Sequence, residues 1–153
     1  MSVLALCYCP DVGGPMLSVP ELTLVAGSGI VGDRYYGAEQ SYPGQNLTLI
    51  EAEEIEAFNA RNGTAIALTG PRRNVITRDV RLNSLVGCVF LIGDIRLRGV
   101  QLCEPCATLA THLAATGLRK TIFVREFTHR AGLRADVLTS GSMRVGDSVG
   151  IQA

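Results

Sequence analysis

The residues with the clearest chemical potential are Cys103-Glu104-Pro105-Cys106, which run into Ala107-Thr108-Leu109-Ala110. Proline is favoured at the first position of a helix, so the spacing predicts Cys106 in a first helical turn. Unpaired backbone N–H groups and the helix dipole there favour a thiolate. Two sulfurs at this spacing can approach each other or a shared ligand. Three chemistries compete: a thioredoxin-like redox pair, half of a zinc site, or a single ligating or sulfur-carrying thiolate. The redox pair needs a strand–helix–strand setting, and the surroundings look barrel-like. Zinc would have to recruit Cys7-Tyr8-Cys9 as its other half. Cys7, Cys9 and Cys88 read most simply as small buried hydrophobes on a barrel wall.

A second set of residues is basic. Arg72-Arg73-Asn74 follows Gly70-Pro71, Gly32-Asp33-Arg34-Tyr35 lies in a glycine-rich stretch, and His129-Arg130-Ala131-Gly132 precedes a strand. Of fourteen basic residues only Lys120 is lysine. Arginine's planar fork grips phosphate and carboxylate in two-point contacts. A lone arginine is usually solvated, but arginines recurring at loop-to-element junctions point to an anionic ligand. Arg72, Arg73 and Arg130, together with Arg34, are therefore expected to include the phosphate-binding residues of one pocket. Strand alternation would send Arg72 and Arg73 to opposite faces. Neither His112 nor His129 has a partner at metal-ligand spacing. Glu51, Glu53, Glu54 and Glu56 read as a solvated helix face.

These residues sit in a chain of 153 residues, enough for one domain with a sizeable core; a single domain over 1–153 is expected. With 47% hydrophobic and 18% charged residues it is too apolar for intrinsic disorder. No apolar run approaches the roughly 20 residues of a membrane span, and Met1 to Pro10 lacks the pattern of a secretory signal. A cytoplasmic location with reduced thiols is expected. Formal net charge is zero, so neither nucleic acid nor membrane is an expected partner. The balance hides a split, with eight acids and two bases in residues 1–70 and six acids and twelve bases in 71–153.

Period-two patterning predicts strands at Val3 to Cys9, Leu22 to Val25, Leu47 to Ile50, Asn74 to Thr77, Val89 to Ile92, Ile95 to Leu102, Leu133 to Leu138 and Met143 to Val149. Helical spacing predicts one good helix over Ala52 to Arg61, stopped by Asn62-Gly63, and a short one over Thr108 to Ala115. Residues 118–127 fit either state. The fold class expected is mostly β (α+β), a compact β-barrel-rich fold with a few peripheral helices.

In order, Gly-Asp-Arg-Tyr, Leu-Thr-Leu-Ile-Glu, Arg-Arg-Asn, Cys-Glu-Pro-Cys, His-Arg-Ala-Gly-Leu and Gly-Asp-Ser-Val resemble the MOSC domain, the C-terminal domain of molybdenum cofactor sulfurases, from about Val19 to Val149. The resemblance implies a MOSC-like β-barrel and binding of the molybdenum cofactor (molybdopterin). It implies Cys106 as catalytic residue and metal ligand, and Arg72, Arg73, Asn74, Arg130 and Arg34 as cofactor-binding residues. Relatives of this kind reduce N-hydroxylated compounds, which implies a small N-hydroxylated substrate and a separate electron-donor protein. The alternatives are a sulfur carrier with a persulfide on Cys106 and a non-catalytic cofactor-binding module. Tyr35 stands where the family commonly has histidine. Neither the desulfurase domain of full sulfurases nor its pyridoxal phosphate is expected in this chain.

Overall fold

The computed structural model describes residues 1–37, 42–105, 109, 113 and 116–152. Along the chain follow β1 (Ser2–Tyr8), β2 (Leu17–Val19), β3 (Glu21–Val25), β4 (Gly29–Ile30), β5 (Leu47–Glu51), α1 (Ala52–Asn62) and β6 (Val75–Arg78). Then come β7 (Val89–Ile92), β8 (Ile95–Leu102), α2 (Lys120–Phe127), β9 (Leu133–Val137), β10 (Gly141–Arg144) and β11 (Val149–Ile151). Eight strands make one sheet in the order β11-β7-β8-β9-β5-β6-β1-β2, and β10-β3-β4 make a second. All pairs are antiparallel except β5 with β6, between which α1 carries the chain back to the starting end. The large sheet curls into a half-barrel. Its two ends meet where the Val3 amide donates to the Asp147 carbonyl at 2.9 Å and the Val149 amide donates to that of Met1 at 3.1 Å.

Alternation gives the sheet two apolar faces. Leu49, Val75, Phe90, Leu97, Leu133 and Val137 fill the concave side, closed over by Leu22, Leu24 and Met143 of the small sheet. On the outer side Cys7, Ile50 and Ile76 lie beneath the helices. Ala52, Ile55 and Phe58, spaced by three, form the buried stripe of α1, and Gly63, with φ of 62°, ends the helix in the left-handed region. Phe58 stacks on Phe123 and Phe127 of α2, ring centroids 5.3 and 4.8 Å apart. That pairing decides residues 118–127: Phe123 and Phe127 need one helical face to reach Phe58, and packing overrides the strand propensity of Thr121, Ile122 and Val124.

Three local expectations are corrected. The strand expected over Met143 to Val149 is two strands, β10 and β11, because the Asp147 carboxylate accepts from the Arg144 amide at 2.8 Å and makes a turn. Glu51 is not on a solvated face. It ends β5 buried, its Oε1 accepting from the Leu82 amide at 2.9 Å, and burial pushes its carboxyl above the usual range. Cys88 is half-buried at the turn into β7, its thiol facing the Ser84 carbonyl, and is not a buried wall residue. No helix among the described residues is long and apolar enough to cross a membrane.

Candidate functional site

Register assembles one transverse row of side chains on the outer face of the sheet. Thr48 on β5 pairs with Arg134 on β9, and Arg134 pairs with Gln101 on β8. On the other side Thr48 is tied to Asn74, which is tied to Cys7. The Asn74 side-chain oxygen accepts from the Thr48 amide and hydroxyl, each at 3.1 Å. Its Nδ2 donates to the Cys7 carbonyl at 3.2 Å. Directly opposed residues share a face, so the row presents Cys7, Thr48, Arg134 and Gln101 together. Asn74, buried at its centre, fixes the spacing of β1, β6 and β5.

Arginines flank this row. Arg72 has φ of 60°, so alternation does not apply to it, and the turn brings its Nη2 to 3.5 Å from Cys9 Sγ. Arg34 follows Asp33, whose carboxylate accepts from the Cys9 amide at 2.9 Å; its own amide donates to the Cys9 carbonyl at 2.8 Å. Arg73 stretches along the outer face, its Nε donating to the Ala131 carbonyl at 2.9 Å. Cys103 is anchored beside it, its amide donating to the Gly132 carbonyl at 2.8 Å.

Burial pushes the Cys103 thiol up, opposed by Arg73 and Arg134. Burial likewise pushes the Cys7 thiol up to about 11, opposed by Arg72 and Arg34. Both thiols are held neutral near pH 7, yet each lies in the field of two guanidinium groups. The folded Cys7 value exceeds the ordinary 9.0, so the stability it contributes is complete below about pH 9 and is lost as pH rises toward 11. A rise of that size corresponds to about 2 to 3 kcal/mol. Urea midpoints at pH 8 and pH 11 should show Cys7→Ala losing less stability over that interval than the parent. An equal loss would remove Cys7 as the source.

Arg130 is separated from the other predicted arginines. Its Nε lies 4.0 Å from Glu54, and it lines a polar pocket of about 160 Å³ with Glu51, Arg81 and His129. The His129 ring nitrogen Nδ1 sits 2.9 Å from Glu104. Arg134, with Thr48 and Gln101 of the same row, was missed by sequence reasoning. The signal was present, since Leu133, Ala135 and Val137 point inward and leave Arg134 outward between them. Cys106 and His112, with most of the helix expected over Thr108 to Ala115, lie outside the described residues. Leu113, beyond them, packs against Gly70 and lines a groove of about 480 Å³ with Ile66 and Thr116.

Comparison with known proteins places this geometry in context. A family model described as the MOSC domain matches residues 34–150. No curated protein matches the sequence. The fold is similar to that of the YuaD protein from Bacillus subtilis, with a TM-score of 0.84 at 18% identity, over 99% of this chain and 96% of that one. It is also similar to YiiM from Escherichia coli, with a TM-score of 0.71 at 15% identity, over 100% of this chain and 70% of that one. YiiM from Geobacillus stearothermophilus aligns with a TM-score of 0.66 at 13% identity, over 99% and 73% of the two chains.

Proposed function

The chain belongs to the MOSC domain family, a molybdenum-cofactor-related domain, and from that membership we propose that it binds the molybdenum cofactor and reduces N-hydroxylated compounds. The observation that carries this reading is the row of guanidinium groups beside the thiols of the outer face: Arg72 Nη2 lies 3.5 Å from Cys9 Sγ, Arg73 is held on the Ala131 carbonyl next to the Gly132 anchor of Cys103, and Arg134 pairs with Thr48 in the row that holds Cys7. A set of guanidinium groups beside sulfur suits a ligand that is anionic at one end and thiophilic at the other.

Arg72, Arg73 and Arg34 would hold the cofactor's phosphate, with Arg134 supplying further positive field. Arg130 would meet the ligand only from the neighbouring polar pocket. Asn74 would act through position, since its amide atoms already bind Thr48 and Cys7. Cys106 would be the metal ligand, because it follows Cys103, whose amide is pinned to Gly132 within this arginine set. When bound, molybdenum supplies the two-electron redox change and an acceptor for the substrate oxygen. The reaction balances when the N-hydroxyl compound takes up two electrons and two protons, its N–O bond breaks, and the parent N–H compound and water are formed. The electrons come from a separate donor protein. The groove beside Gly70 and Leu113 would take the organic part of the substrate, with its apolar wall replacing water around it.

The test is metal and pterin content of protein purified from a cofactor-replete host. Near-stoichiometric molybdenum and pterin support the reading. Their absence overturns it, and a persulfide on Cys106 without molybdenum assigns sulfur carriage instead. Arg72→Gly removes the guanidinium while suiting the left-handed backbone at that position. It should weaken cofactor retention by roughly 1.5 to 3 kcal/mol, the range of a charge-assisted pair, without loss of thermal stability. Undiminished retention would take the phosphate away from Arg72.

A further inference from the structure

The outer face of the large sheet is covered unevenly. Helices α1 and α2 pack over Cys7, Ile50 and Ile76 of β1, β5 and β6. Over β7, β8 and β9 the outward side chains are exposed or half-buried. Register places Arg98 between Val89 and Asp136, and Arg96 beside Leu91. Among the described residues neither Arg96 nor Arg98 has an ion-pair partner, whereas Arg61, Arg78 and Arg144 all do. Among the described residues the one carboxylate within this face, Asp136, already accepts from the Gly44 amide at 2.6 Å. The face is therefore a positive field with two half-buried aliphatic side chains in it, and it continues through Arg134 into the row of candidate site residues. Cys103 lies five residues beyond Arg98 along the same chain segment, roughly 16 Å at strand rise.

We propose that this bare face of β7, β8 and β9 is the docking surface for an acidic electron-donor protein, a proposal that rests on the reductase reading. Charge complementarity selects the occupant. Unpaired guanidiniums steer a negatively charged protein and favour a short-lived encounter, and Val89 and Leu91 give it a small apolar centre. A partner seated on Arg96 and Arg98 lies along β8 from Cys103, while substrate is left the groove at Gly70 on the helix-covered side.

The experiment uses the cofactor-loaded protein with an N-hydroxylated substrate, driven either by a reduced acidic two-iron ferredoxin or by dithionite. The double substitution Arg96→Glu with Arg98→Glu should lower the ferredoxin-driven rate at least tenfold at low salt and leave the dithionite-driven rate unchanged. Arg144→Glu, on the small sheet, should change neither. Raising salt should slow the parent with ferredoxin, as the screening length shrinks from about 30 Å at 0.01 M to about 10 Å at 0.1 M. An unchanged ferredoxin-driven rate in the double variant overturns the docking surface. If the parent turns over with neither reductant, the reductase reading fails, and calorimetric titration with ferredoxin decides the surface on its own. Equal binding by parent and variant overturns it, and tighter binding of a DNA duplex than of ferredoxin reassigns it to nucleic acid.

Discussion

Cys106→Ser is expected to yield a folded protein that retains no molybdenum and has no N-hydroxyl reductase activity. Serine keeps the size of the side chain but replaces a polarisable sulfur with a harder oxygen that stays protonated near neutral pH, so the soft-ligand position is lost. Cys103→Ser is expected to behave differently. Cys103 is buried among the apolar side chains of the outer layer, and burial holds its thiol neutral. A hydroxyl in its place costs about 1 to 3 kcal/mol of stability if it finds no partner. Cofactor retention is then reduced through loosening of the site, not abolished. In cofactor-free protein a thiol reagent should therefore modify Cys106 at a lower pH than Cys103, mapped by peptide mass. Equal reactivity of the two, or full activity in Cys106→Ser, would return the motif to a redox pair or a structural role.

The sequence made the apolar layers legible, because alternation and helical spacing depend only on neighbours along the chain. Leu133, Ala135 and Val137 announce an inward face, and Ala52, Ile55 and Phe58 announce a helix stripe. Cys103 and Cys106 stand out in the sequence by type and spacing, whereas Cys7, read there as a buried hydrophobe, lies in the row tied together by Asn74. The grouping of the arginines was not. Arg72 and Arg130 look equivalent in sequence, yet one turns to Cys9 and the other to Glu54. Both partners lie far away along the chain, so neighbours in sequence carry no sign of them. Asn74 shows the same limit. As a residue type it suggests a ligand contact, and only its ties to Thr48 and Cys7 reveal a clamp across three strands. Arg134 could have been found by reading the outward position of a strand as carefully as the inward ones.

Gly132→Ala is expected to be the most damaging single-methyl addition outside the thiol motif. Gly132 has φ of 110°, and a Cβ there would overlap the Leu49 carbonyl oxygen and approach its carbon to 3.1 Å. The neighbour cannot give way, since Leu49 pairs with Val75 on one side and Leu133 on the other, in the middle of the sheet. Strained backbone and a backbone clash together put the cost at about 4 kcal/mol or more, against a typical total of roughly 5 to 15. The damage reaches the site as well. The Gly132 carbonyl receives the Cys103 amide and the Ala131 carbonyl receives Arg73, so shifting this backbone displaces a thiol and a guanidinium together. Gly150→Ala is the matched control, also in a strand but with open space where the methyl would go. Urea denaturation, or soluble yield where the variant does not survive purification, should separate the two clearly. A Gly132→Ala protein with the midpoint of Gly150→Ala would show that β9 and β5 do not approach this closely, and the link from strand register to the Cys103 and Arg73 positions would fall with it.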